Sequence, residues 1–269
     1  MRRLLLLVLA LTLAACAGPQ ATALVDDAGS LPRRAEVAAV PFFAQEEHLC
    51  GPAALATVLS WGGLAASSDD LDPLVYTPRR AGSLAADMLG AARRLGRLAV
   101  PVGSLAGVLG EVAAGNPVLV LQNLSLDIAP LWHFAVVVGY DLDARVAVLR
   151  SGGQERQEMA LDTFEHTWSR AGGWAVVVLP PDRLPATASE LDVARAAAAL
   201  ERTGWAGAAA RSYRAMQDRW PDSLVAAVGL GNALFAQGDR TGAAQVLQAA
   251  AEKHPESSVI RHNLDEVNR

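Results

Sequence analysis

The chain has 269 residues, of which 52% are hydrophobic and 19% charged, and it carries a formal net charge of −5. That composition supplies a sizeable apolar core and excludes a disordered chain. No basic run offers a footprint for nucleic acid, so no nucleic-acid partner is expected.

The chain opens on Met1, Arg2 and Arg3, followed by an apolar run from Leu4 to Leu13. Positive charge followed by about ten apolar residues is the layout of a secretory signal peptide. The run is short for a membrane span, which needs about twenty such residues. It leads into Leu13-Ala14-Ala15-Cys16, which resembles a bacterial lipobox. The resemblance implies that residues 1–15 are removed and that Cys16 receives diacylglycerol and begins the mature chain. Losing Arg2 and Arg3 would take the net charge from −5 to −7. Fatty chains add roughly 0.8 kcal/mol of membrane attachment per buried methylene, so two or three anchor firmly. Ala17 follows in place of an aspartate retention signal. The expected location is the cell envelope, lipid-anchored, on the outer membrane facing the periplasm if the cell is Gram-negative. Residues 16–36 show no periodicity and read as a tether.

A first domain is expected over 37–184. Its key segment is Gln45-Glu46-Glu47-His48-Leu49-Cys50-Gly51-Pro52-Ala53-Ala54-Leu55. The alanine- and leucine-rich run after Cys50 predicts a helix, with Pro52 in its first turn and Gly62-Gly63 ending it. With Cys16 lipidated, Cys50 has no intrachain partner, and a lone thiol in an oxidising compartment is either buried or used. A helix N-terminus favours a thiolate, so Cys50 is expected to be solvent-accessible with a lowered pKa.

A base would have to come from the five histidines. His254 and His262 lie in the C-terminal segment, and His48 sits in the turn before Cys50. His133 opens the apolar strand His133-Phe134-Ala135-Val136-Val137-Val138-Gly139, an odd place for a residue that only packs. The histidines lack metal-ligand spacing and no phosphate-cradling loop appears, so neither metal nor cofactor is expected.

Pro180-Pro181 and Pro185 mark a junction, and a second domain is expected over 186–269. Gly204 and Gly238 are 34 apart, as are Ala209 and Ala243, and Pro221 and Pro255. This period, with small residues Ala197 and Gly231 where helices cross, resembles the tetratricopeptide repeat and implies an all-α array binding a peptide or protein partner. Two and a half units are few, so the array is expected to lean on the first domain.

Gln45, the Cys50-Gly51-Pro52-Ala53-Ala54 helix start and the His133 strand together resemble the bacteriocin-processing cysteine peptidases. They are most similar to peptidase-family-39-like lipoproteins with C-terminal tetratricopeptide repeats. Gly82-Ser83 before Asp87-Met88, and Gly115-Asn116-Pro117 entering a strand, fit as well. The resemblance implies an α+β papain-like peptidase domain followed by the all-α repeat domain. It implies that Cys50 attacks a peptide carbonyl, that His133 carries the proton, and that Gln45 with the Cys50 backbone N–H binds the oxyanion. The family's orienting Asp or Asn after the histidine strand is missing, because the segment reads Leu149-Arg150-Ser151-Gly152-Gly153. Ser151 is able to hold the imidazole, whereas Arg150 would depress its basicity, and Gln154 or Glu155 is a further candidate to orient it. A degenerate peptide-binding adaptor and a thiol acyltransferase or amidase remain alternatives to a peptidase using a Cys-His dyad.

Overall fold

A computed structural model describes residues 18–44, 49–80 and 82–269, with the Arg80 side chain left aside. The N-terminal part is built on one antiparallel sheet. In chain order its strands are β1 (Arg34–Glu36), β4 (Leu98–Pro101), β5 (Val118–Asn123), β6 (Trp132–Asp141), β7 (Val146–Ser151), β8 (Gln154–Ala160) and β9 (Ala175–Leu179). They lie in the order β4-β9-β5-β6-β7-β8, and β1 pairs with the far end of β6. A two-residue ribbon, β2 (Tyr76–Thr77) with β3 (Gly82–Ser83), stands apart.

Helix α2 (Cys50–Trp61) crosses this sheet over β6, and also meets β5, β7 and β9. Gly51 through Leu59 are all buried, as an apolar helix wrapped on every side must be. Helices α3 (Ser68–Val75) and α4 (Ala85–Arg94) flank it, and α5 (Leu105–Ala113) packs on β6 as well. Helix α6 (Leu161–Arg170) covers β5.

The expected tether is in part ordered and docked. Residues Pro19–Asp26 form helix α1, and Arg34–Glu36 join the sheet as β1. The Glu165 carboxylate accepts the N–H groups of Gln20 and Ala21 at 3.0 and 2.7 Å, and Asp162 accepts that of Gly18 at 2.9 Å. Unpaired N–H groups at a helix start need an acceptor, and here α6 supplies it. That long-range partner is why local composition alone misread the segment.

Beyond the junction, five helices follow: α7 (Glu190–Arg202), α8 (Ala206–Arg219), α9 (Leu224–Ala236), α10 (Arg240–Lys253) and α11 (Ser258–Asn268). The starts of α7 and α9 are 34 residues apart, as are those of α8 and α10. Gly204 and Gly238 end the first helix of each pair at φ +86° and +84°, the left-handed region that glycine enters freely. A Cβ on Gly231 would lie 2.8 Å from Leu247, so glycine there sets the close helix crossing.

The helical array does lean on the sheet domain. Leu98 and Val100 of β4 belong to the helical core. The Trp205 indole lies over Gly96 and donates to the Arg94 carbonyl at 2.8 Å. Fully buried Glu111 of α5 accepts from the Ala186 and Thr187 N–H groups, the Thr187 hydroxyl and the Asn116 amide. Glu111→Ala would strand these donors at about 1–3 kcal/mol per group. A net loss of about 3 kcal/mol, roughly a 10 °C fall in Tm, is expected by calorimetry. An unchanged Tm would show that the linker is not held there.

Candidate active site

Cys50 is the first residue of α2, as the Gly-Pro start and the apolar run after it dictate. The glycine that follows is obligatory in this packing. A Cβ on Gly51 would sit 2.2 Å from the Ser83 hydroxyl, so β3 presses on the first turn of the helix. The Cys50 thiol meets the backbone N–H of Phe134, the residue after His133, and that N–H donates to the sulfur. The nucleophile candidate and the histidine strand are therefore brought together.

The register explains why this N–H is available. The β6–β7 ladder begins only at Val136↔Arg150, so the first part of β6 has a strand partner only in β5. The helix start fills the place that β7 vacates.

His133 is partly buried, and its Nε2 lies 2.9 Å from the Ser151 hydroxyl oxygen. Pleat parity makes this contact. Val136 stands opposite Arg150. His133 is three residues before Val136 and Ser151 is one after Arg150, so both occupy the other face. Arg150 is turned away, and its guanidinium donates to the carbonyls of Val40, at 3.1 and 3.3 Å, and of Glu155. The expectation that Arg150 would depress the imidazole is not met. The His133 pKa does lie below its ordinary value, but the cause is burial.

Asp141 is remote, at the far end of β6, where its carboxylate accepts the N–H groups of Asp143 and Ala144 at 2.9 Å. Gln154 and Glu155 are exposed on the β7–β8 hairpin. Gln122 was not singled out from sequence. It pairs with His133 across β5 and β6, is fully buried, and donates to the Thr167 hydroxyl at 2.7 Å. A polar residue within the apolar run of β5 was the available signal.

The thiol corrects a second expectation. Burial pushes the Cys50 pKa up from its ordinary value, outweighing the opposing pull of the N–H groups of Phe134, Gly51 and Cys50 itself. Desolvation penalises the charged form more than three dipoles restore it. Cys50 is also partly buried, where an accessible thiol was expected. Gln45, His48 and the lipidation candidate Cys16 lie outside the described residues.

A mixed α/β fold, with a cysteine-bearing helix laid on an antiparallel sheet that carries a histidine, agrees with one family. The model described as "Peptidase_C39 like family" matches residues 37–176, slightly more than half of the chain. The chain belongs to the peptidase C39-like family. The match takes in both Cys50 and His133 of this C39-like chain. No curated protein matches the chain. Among solved structures, a protein described as a C39-like peptidase from Bacillus anthracis aligns at 19% identity and TM-score 0.48, covering 54% of this chain and 97% of that one. A double-glycine-motif protease of an AMS/PCAT transporter, solved with its leader peptide, aligns at 22% identity and TM-score 0.41, covering 53% and 93%. The peptidase domain of Streptococcus ComA, a bifunctional ABC transporter, aligns at 22% and 0.44, covering 52% and 98%.

Proposed function

We propose that this C39-like chain is a cysteine peptidase that hydrolyses peptide bonds through a Cys50–His133 dyad oriented by Ser151. The observation that carries the reading is the 2.9 Å contact between His133 Nε2 and the Ser151 hydroxyl, with the Cys50 thiol on the N–H of the next residue. Nε2 donates to Ser151, which leaves the Nδ1 lone pair as base. A serine supplies the tautomer control that an acid provides elsewhere, without its negative charge.

In this reading His133 takes the thiol proton as sulfur attacks the carbonyl carbon. Gln45 and the Cys50 N–H bind the oxyanion. The imidazolium then gives its proton to the leaving amine, and water hydrolyses the thioester. Ser151→Ala is expected to lower kcat about tenfold with little change in KM, because the ring loses its tether but not its lone pair. Steady-state kinetics on a peptide substrate check this, and an unaltered kcat would remove Ser151 from the machinery. A degenerate, peptide-binding domain is the competing reading, favoured by the lack of a carboxylate on His133 among the described residues. An activity-based thiol probe separates the two: His133→Ala abolishes labelling of a working dyad and leaves that of a bystander thiol unchanged.

The same proposal holds the protein on the envelope membrane through a lipid on Cys16, with the 34-residue helical pairs as a tetratricopeptide array for a peptide or protein partner. The lipobox spelling supports the first and the equal offsets of α7–α9 and α8–α10 the second. Cys16→Ser is expected to move the protein from the membrane fraction to the soluble fraction. Continued sedimentation with membranes would refute lipid anchoring.

A further inference from the structure

His133 has a polar neighbour on each flank. On one side Ser151 of β7 meets its Nε2. On the other, Gln122 of β5 stands directly opposite it. Residues paired in this way leave the sheet on the same face, with Cβ atoms about 5 Å apart. The Gln122 side chain then runs over β6. Its Nε2 donates to the Thr167 hydroxyl of α6 at 2.7 Å and reaches the Met159 sulfur at 3.5 Å, and Met159 belongs to β8, which lies beyond β6 and β7.

Thr167 fixes which way the carboxamide faces. The Thr167 hydroxyl proton goes to the Thr163 and Phe164 carbonyls, both at 3.0 Å. Its oxygen is left as an acceptor and takes the Gln122 amide hydrogen. The Gln122 Oε1 therefore points away from Thr167. It is buried, and no donor among the described residues reaches it. An orphaned acceptor in a dry interior is destabilising, and an aliphatic side chain would fill the same place without it.

In the proposed reaction a positive charge forms beside this oxygen, when His133 takes the Cys50 proton. The fixed charges around β6 are committed elsewhere. Arg150 holds the Val40 and Glu155 carbonyls. Asp162 and Glu165 of α6 hold the start of α1, and Arg170 holds the Asn123 carbonyl. Glu111 of α5 holds the linker, and β1 with its charges lies at the opposite end of β6. At the His133 end the titratable neighbours are Cys50 of α2 and exposed Asp127, which meets the Asn123 amide at 3.4 Å.

We propose that Gln122 is the positioning residue of His133, its buried carboxamide oxygen stabilising the imidazolium that forms as the thiol gives up its proton, a role that rests on the peptidase reading above. A fixed dipole in a water-excluded site needs no reorganisation when the charge appears. No bond is made or broken at Gln122. The proton passes from the Cys50 sulfur to His133 Nδ1, and on to the leaving amine.

The test compares the full wild-type chain with Gln122→Met, which keeps the length and loses the dipole, and with Gln122→Glu. NMR on histidine-labelled protein follows the His133 pKa, and the spectrum of His133→Ala tells its signal from that of His166 on α6. Removing the oxygen should lower that pKa by about 0.5 to 1, because the charged form loses its partner, and a carboxylate should raise it by about as much or more. On a peptide substrate, Gln122→Met should lower kcat about tenfold with KM unchanged and move the acid limb of the rate profile to lower pH. A His133 pKa that ignores both substitutions, in chains that still cleave, overturns the role of Gln122 and leaves the peptidase standing. So does a shifted pKa with kcat unaltered. If Gln122→Met does not fold, Gln122→Glu decides: an acid limb that stays where it is in wild type overturns the proposal. A wild type that neither cleaves peptides nor takes a thiol probe sinks the peptidase reading, and the role of Gln122 with it.

Discussion

Cys50→Ala is expected to abolish peptide hydrolysis, lowering kcat/KM by about ten-thousandfold or more, while the protein stays folded. The effect is large because the thiol is the only covalent catalyst in the proposed reaction, and no neighbouring hydroxyl or amine stands in its place on the first turn of α2. The structural cost is small. The thiol is partly buried and receives the Phe134 N–H, so truncation loses one weak hydrogen bond and a sulfur-sized volume, about 1–2 kcal/mol. Mass spectrometry of new termini generated in a peptide pool measures the first quantity, and thermal unfolding the second. A mutant that still cleaves within tenfold of wild type would sink the nucleophile assignment. Loss of activity accompanied by loss of the folding transition would not support it.

His133→Ala should lower turnover by about a thousandfold, and its partner effect is on pH dependence. Burial raises the Cys50 pKa and lowers that of His133, so both shifts favour the neutral thiol and the neutral imidazole. In the proposed dyad the resting pair would therefore be uncharged at neutral pH, with the proton moving during attack. A lowered histidine pKa keeps the base unprotonated further into acid than a free imidazole. The acid limb of kcat/KM should accordingly fall below about pH 6.5, the ordinary histidine value. A raised thiol pKa means that iodoacetamide alkylation in the absence of substrate should climb only above the free-thiol value of about 8.5. Alkylation already at its plateau near pH 6 would reveal a thiolate–imidazolium ion pair and overturn the neutral-pair reading.

The helix beginning at Cys50 and the strand carrying His133 were legible because their signals are local. A Gly-Pro start before an unbroken alanine-leucine run has few alternatives, and a run of valines closed by Gly139 is a buried strand. The 34-residue period was legible for the same reason, since each helical pair repeats its own small residues and end glycine. Helix α1 was not legible. Pro19–Asp26 is held by Asp162 and Glu165, about 145 positions away, and nothing in its own composition announces those partners.

At the site itself, the spacing of residues narrowed the orienting group to the neighbourhood of Arg150 and Ser151 without separating them. Register separated them. Once Val136 faces Arg150, alternation of the pleat sends Arg150 to one face and Ser151 to the face of His133. Cys50 shows the same division. Residue types and order assign it a helix start and a family, because those depend on neighbours in the chain. Whether its thiol is acidic or not depends on how much water α2 excludes when it packs on the sheet, and on a Phe134 N–H freed where β7 leaves β6. Those are properties of contacts between distant segments: desolvation is set by three-dimensional packing, and here it outweighs the helix N-terminus that the sequence made visible.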